Sequence, residues 1–277
     1  MLDALAARLP PSVLELQNEI DDRLLRIPTR LNAYGYDAWG FHPDTARRAM
    51  YVTALLYRYW FRVETRGIEH LPAGRFLLIA NHAGQVALDA AMIAAACFLE
   101  AEPPRIVRGM GEYWLPTVPW VSEIMVRTGS VVGTRKNCVD LLENDEAVIA
   151  FPEGIRGMNK LIWERYQLQE FGQGFMRLAL ETNTPIVPIA VVGSEEQAPS
   201  LGNFKPLARL LGMPAFPLVL LPLPLPVRYH ITFGEPMEFR GNPNDEDAVI
   251  AVKVEQVKAR IRTMIDQGLR RRRSIFF

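Results

Sequence analysis

The chain has 277 residues, 31 Lys and Arg against 31 Asp and Glu, and a formal net charge of zero; 49% of its residues are hydrophobic and 22% charged. That mixture excludes a disordered or fibrous chain, and the length suits one large domain or two small ones. Its two cysteines, Cys97 and Cys138, form no CxxC pair, which excludes a disulfide scaffold and a cysteine-ligated zinc site and favours a reducing compartment.

The first residues carry Asp3 and break at Pro10-Pro11, without the basic and apolar regions of a secretory signal. Residues 12–26 place Val13, Leu16, Ile20 and Leu24 three or four apart, which predicts an amphipathic helix. A connection rich in Gly and aromatics runs from Pro28 to Pro43. Asp44-Thr45 then opens a second helix to about Trp60, with Ala49, Thr53, Leu56 and Trp60 along one side. Residues 1–60 thus read as an N-terminal helical segment, for packing or for membrane docking, ahead of an α/β domain over 61–277.

Beyond residue 60 the period changes. Phe61–Thr65 alternates, and Phe76-Leu77-Leu78-Ile79-Ala80 is a continuous apolar run, the mark of a strand buried on both faces. Asp89–Glu100 predicts a helix, Arg105–Val107 and Ser130–Val132 strands, and Val139–Glu146 a helix. Ala147–Phe151 predicts a strand, Gly174–Thr182 a helix, Ile186–Val192 a strand, and Asp245–Leu269 the last helix. Strands alternating with helices imply an α/β fold: a mostly parallel sheet flanked by helices on both faces. No apolar stretch is long enough to span a bilayer.

Two segments stand apart. Phe204–Pro226 holds six prolines among Leu, Val, Phe and Ala, so it is neither a long helix nor a central strand. It either covers the sheet or offers apolar surface to lipid. From Ala251 to Phe277 there are eight basic and two acidic residues. Such a tail is either a solvated helix face or a patch for anionic lipid, with Ile275, Phe276 and Phe277 as anchors. A pI near 6.9 argues against a nucleic-acid partner.

The four histidines show no metal-ligand spacing, and the serine-hydrolase elbow, the phosphate-binding P-loop and the dinucleotide fingerprint are all absent. Two constellations remain, each just after a predicted buried strand, where open α/β sheets bind ligands. One is Asn81-His82 with Asp89; the other is Phe151-Pro152-Glu153-Gly154 with Arg156. On a single helix His82 and Asp89 would share a face yet sit about 10 Å apart along the axis. A His82–Asp89 hydrogen bond therefore requires residues 83–85 to form a loop that folds the imidazole back over a helix starting near Val86.

Taken together, these blocks resemble the glycerolipid acyltransferase superfamily, the lysophospholipid acyltransferases related to the 1-acylglycerol-3-phosphate enzymes. Gly67–Pro72 before FLLIANH is similar to that family's lead-in to its NH-x4-D motif, and Val131–Arg135 to its second block. Phe151–Gly154 matches its FPEG, and Thr184–Ala190 is similar to its proline-centred strand. Two positions depart from the pattern: Ala87 stands where the family has its aspartate, the acid following at Asp89, and Ile155-Arg156-Gly157 replaces Thr-Arg-Ser. Both resemble a branch near the bacterial or neutral-lipid glycerol acyltransferases.

The resemblance implies His82 as general base on an acceptor hydroxyl, oriented by Asp89 as the acid orients the base in a serine-protease triad. It implies Glu153 and Gly154 at the acceptor's glycerol head, and Arg135 and Arg156 for its phosphate or carboxylate. It implies no cofactor and no metal, with acyl-CoA or acyl-carrier protein as co-substrate. The expected partner is a membrane lipid surface, and the expected location cytoplasmic, peripheral on the inner face of the membrane. A thioesterase using the same dyad on water, or a non-catalytic lipid-binding protein, are the rival readings.

Overall fold

The protein was analysed as a computed structural model that describes residues 11–82, 87–114, 120–204, 206, 217–219 and 223–276. In chain order it contains helices α1 (Pro11–Leu25) and α2 (Pro43–Leu55), strands β1 (Glu64–Arg66) and β2 (Phe76–Ala80), and helix α3 (Leu88–Leu99). Strand β3 (Val107–Gly111), helix α4 (Val121–Arg127), strand β4 (Val131–Val132), helix α5 (Arg135–Glu143) and strand β5 (Ala147–Ala150) follow. The short helix α6 (Ile155–Met158), helix α7 (Gly174–Thr182) and strand β6 (Ile186–Val192) come next. A two-stranded ribbon, β7 (Ser200–Asn203) with β8 (Pro217–Val219), precedes β9 (His230–Phe233) and the long helix α8 (Asp247–Arg271).

Seven strands form one sheet in the order β1-β9-β6-β2-β5-β3-β4. Strands β2 to β6 run the same way; β9 is antiparallel to β6, and β1 is parallel to β9. The sheet separates two buried clusters, and β2 alternates between them: Phe76, Leu78 and Ala80 face one, Leu77 and Ile79 the other. This is why the strand reads as an unbroken apolar run. The first cluster is closed by Leu16 and Ile20 of α1, Ala54 of α2 and Met92, Ile93 and Ala96 of α3. The second is closed by Leu141 and Leu142 of α5, Met176 and Ala179 of α7, and Val254, Val257 and Ile261 of α8. Trimming one such side chain, Leu78→Ala for instance, costs about 2–5 kcal/mol.

The differences from the expected elements have local causes. Helix α2 runs into a single π-turn, Leu56–Trp60, in which the Phe61 N–H donates to Leu56 O at 2.8 Å. The extra residue rotates Tyr57 and Phe61 into the core and leaves Trp60 exposed, so the expected side through Ala49, Thr53, Leu56 and Trp60 is not the buried one. Helix α5 starts at Arg135, not Val139, because the Thr134 side chain caps it by accepting the Asn137 N–H at 3.1 Å. It ends at Glu143, and Asp145 takes a left-handed turn into β5. Most of the proline-rich segment lies outside the described residues. Its residues 217–219 form β8.

Candidate active site

Strands β2, β5 and β6 are adjacent and parallel, so the segments leaving their carboxyl ends converge. Asn81, the first residue after β2, explains how. Its side-chain amide donates to Val191 O at 3.0 Å and accepts from the Val191 N–H at 2.8 Å. An amide has a donor and an acceptor in peptide-like geometry, so the side chain continues the ladder to β6 after the backbone has left it. The backbone turns away and delivers His82 to the sheet edge.

The His82 imidazole is 6% exposed and lies on the Phe151 ring, centroids 4.1 Å apart and planes at 25°. Its Nδ1 is 2.7 Å from Asp89 Oδ2, in the first turn of α3. Asp89 has no exposure, and its Oδ1 accepts the Ala90 N–H at 2.8 Å. A carboxylate only accepts, so Nδ1 carries the hydrogen; in the neutral ring the lone pair is then on Nε2, the tautomer a base needs. The expected His82–Asp89 hydrogen bond is present; α3 starts at Leu88 rather than near Val86, and the loop expected at residues 83–85 lies outside the described residues.

The FPEG turn meets the same residue from the other side. Gly154 adopts φ +53°, ψ −142°, a conformation side-chain-bearing residues rarely take, and its N–H donates to Phe151 O at 2.9 Å. The turn aims Glu153 inward. Glu153 is 1% exposed: Oε1 accepts the His82 main-chain N–H at 2.9 Å, and Oε2 accepts the Gln169 N–H at 2.7 Å. The same Oε2 is 2.9 Å from Lys160 Nζ. Both Glu153 oxygens are thus engaged within the protein, one of them by His82. Gly157 lies so close that a Cβ there would be 2.9 Å from both Glu153 Cβ and His82 O.

The two arginines lie further out. Arg135 pairs with Glu181 at 2.9 Å, and Arg156 with Glu170 at 2.9 Å; both are exposed, and neither is brought against His82 among the described contacts. Two residues that the sequence reading misses lie closer. Lys160 Nζ donates to His82 O at 3.4 Å and is 3.3 Å from Glu195 Oε1. Glu195 follows β6, and its Oε2 accepts the Tyr166 N–H at 2.7 Å. Burial pushes its carboxyl up to about 7, against the pull of Lys160. Behind it, the Tyr166 hydroxyl bonds Glu196, which pairs with Arg272 at 2.8 Å; burial first and then Glu196 raise the Tyr166 phenol well above its usual range. No sequence pattern marks Lys160 or Glu195. Only a pair of acids just after a buried strand hints at the second.

Residues 62–192 match a family model described as Acyltransferase. The chain is similar to an uncharacterized protein of Mycobacterium tuberculosis, with 36% identity over 260 residues, 88% of this chain and 72% of that one. It is also similar to the mouse DGAT1/2-independent enzyme synthesizing storage lipids, with 23% identity over 86% of this chain and 69% of that one. Among solved structures it is similar to the 1-acyl-sn-glycerophosphate (LPA) acyltransferase PlsC of Thermotoga maritima, with TM-score 0.53 over 94% of this chain and 97% of that one. At 17% identity that likeness is one of fold.

Proposed function

Because the chain belongs to the glycerolipid acyltransferase superfamily, we propose that it is an O-acyltransferase with His82 as general base and Asp89 as its orienting acid. The donor is the thioester of acyl-CoA or acyl-carrier protein, and the acceptor a hydroxyl of a lysophospholipid or another glycerolipid. The observation that carries this reading is the buried 2.7 Å contact between His82 Nδ1 and Asp89.

The chemistry needs no nucleophile from the protein. Nε2 takes the proton of the acceptor hydroxyl as its oxygen attacks the thioester carbonyl, and Asp89 stabilises the imidazolium that forms. When the tetrahedral intermediate collapses, the C–S bond breaks and the imidazolium returns the proton to the leaving thiolate. Glu153 serves by holding His82, and the Gly154 turn borders the space for the acceptor's glycerol. Arg135 and Arg156 take its phosphate or carboxylate by exchanging Glu181 and Glu170. Exposed ion pairs contribute roughly 0–1 kcal/mol, so the exchange costs little.

The same sheet edge is suited to a lipid surface. Strands β1 and β9 run against the others, so their starts lie beside the carboxyl end of β6. Trp60 ahead of β1, Leu223 ahead of β9, Tyr113 after β3, Trp163 after α6 and Phe276 of the tail are all exposed. Arg62 ties three of these segments together by donating to Trp60 O, Pro226 O and Phe276 O. Exposed Arg270, Arg271 and Arg273 adjoin them. Indole rings and arginines at this edge favour an interface with lipid, although the same edge also exposes Glu112 and Glu170; the opposite edge exposes Asp145, Glu235, Glu238 and Arg240. Among the described residues no helix is long and apolar enough to cross a membrane. The exposed rings and arginines of this edge are the ground on which we propose a peripheral seat on the membrane.

The test is an acyl-CoA consumption assay against lysophospholipids, monoacylglycerol and simple alcohols, with products read by mass spectrometry. An acylated acceptor that disappears with His82→Ala is expected. Thiol release without acylated product would make the enzyme a thioesterase, and full turnover by His82→Ala would remove the base. Flotation with anionic vesicles tests the docking: equal recovery with and without anionic lipid would refute it.

A further inference from the structure

Lys160 belongs to none of the motifs, yet its ammonium is enclosed, with 4% of the side chain exposed. Taking an ammonium out of water costs several kcal/mol, so a lysine in such a place needs compensation from its neighbours. Here it comes from Glu153 Oε2 at 2.9 Å and Glu195 Oε1 at 3.3 Å. Its third partner is the main-chain carbonyl of His82, at 3.4 Å.

These contacts share one feature: they lead to His82. The His82 N–H donates to Glu153, the His82 carbonyl accepts from Lys160, and Lys160 joins both to Glu195. Both peptide groups of the residue that carries the imidazole are therefore held by one charged cluster drawn from the segments after β2, β5 and β6. A lysine whose role was only to close its own loop would have no need of contacts to that backbone.

On the reading of His82 as base, we propose that Lys160, backed by Glu195, is a positioning residue for His82 and sets the charge balance in which the imidazole takes up its proton. Among the described residues, the charged and titratable groups facing this pocket are Asp89 from α3, Glu153 after β5, Lys160 after α6 and Glu195 after β6, with Glu112 after β3 at its rim beside Gly154. Tyr166, Glu196, Arg272 and the Tyr229 hydroxyl lie behind them. Among the described residues Lys160 is the cation touching the His82 backbone. Without it, an imidazolium forming on His82 faces Asp89, Glu153 and Glu195 uncompensated, so the protonated ring persists to higher pH.

The test uses the full chain, with the acyl donor and acceptor that the wild type turns over, and follows kcat and KM across pH. Lys160→Met is expected to lower kcat by about 10–100-fold with the donor KM within about threefold, and to move the acid limb of kcat up by about one pH unit. Lys160→Arg keeps the cation and is expected to leave that limb at its wild-type position, whatever its effect on the rate. Because Lys160→Met leaves buried carboxylates unpaired, the double variant Lys160→Met/Glu195→Gln, which removes one cation and one anion and so leaves their sum unchanged, is measured beside it and is expected to move the acid limb less than Lys160→Met does. A folded Lys160→Met with an unmoved acid limb, or a double variant whose limb moves as far as that of Lys160→Met, overturns the proposal. His82→Ala separates the two claims: if it is inactive while the limb does not move, only the role of Lys160 falls; if it keeps full activity, the assignment of the base falls first.

Discussion

Substituting Asp89 by Asn separates charge from shape at the centre of the site. The carboxylate is fully enclosed, its His82 partner is 6% exposed, and the two atoms are 2.7 Å apart. A hydrogen bond to a charged group in such a place is worth about 1.5–3 kcal/mol, which alone is roughly a 10–150-fold change in rate. The amide adds a second penalty. If its NH2 group turns toward Nδ1, the ring hydrogen moves to Nε2 and the base loses its lone pair. In the serine-protease triad the corresponding change costs about 10⁴. Asp89→Asn is therefore expected to lower kcat by about 10²–10⁴ while leaving both KM values within about threefold, since a residue without exposure touches neither substrate. The assay is thiol release from acyl-CoA with a saturating acceptor, with thermal melting to establish that the variant is folded. A folded Asp89→Asn with kcat within about threefold of wild type would refute the dyad.

Three further outcomes follow from the same geometry. Asn81→Ala strands the buried N–H and C=O of Val191, each costing about 1–3 kcal/mol, so the melting temperature is expected to fall by roughly 5–15 °C; a change under about 2 °C in differential scanning fluorimetry would show that the amide clasp is dispensable. Gly157→Ala puts a methyl 2.9 Å from His82 O and Glu153 Cβ, so the backbone carrying His82 must shift; kcat is expected to drop by about tenfold and stability by about 1–3 kcal/mol; a wild-type rate and melting temperature would show that the turn has room. Glu195 titrates near 7 in the folded protein against an ordinary 4.5, so the native state holds a proton there that the unfolded chain has released. Its contribution to stability is therefore complete below about pH 4.5 and declines as pH rises through about 7. The wild type is expected to lose more melting temperature than Glu195→Gln between pH 5.5 and 8.5, and equal losses would refute this.

What could be read from the sequence divides by distance along the chain. Strands β2, β5 and β6 are legible because burial on both faces requires uninterrupted apolar runs, and β6 and α7 fall at the expected residues. His82 and Asp89 are legible because a short, local connection joins them. Glu153 is legible as a motif residue, but its partner is not: the fold, not the spacing, brings a carboxylate to an N–H 71 positions earlier. Arg135 and Arg156 attract attention as cations near a motif and turn out to be in exposed ion pairs. Lys160 goes unnoticed because a lysine in a polar stretch reads as solvated surface, and only the convergence of three strand ends encloses it. The exposure of Trp60 depends on a π-turn that the helical period does not announce.

The order in which the sheet's strands are synthesised has a consequence for how the protein is made. Strand β2 leaves the ribosome well before either of its neighbours, and the Asn81 clasp waits for a partner 110 residues away. At about 5–20 residues per second, that gap lasts roughly 5–20 s, during which FLLIA is an unpaired, uncharged β-former. Extra chaperone during translation, which covers that strand while it waits, should therefore raise the soluble yield.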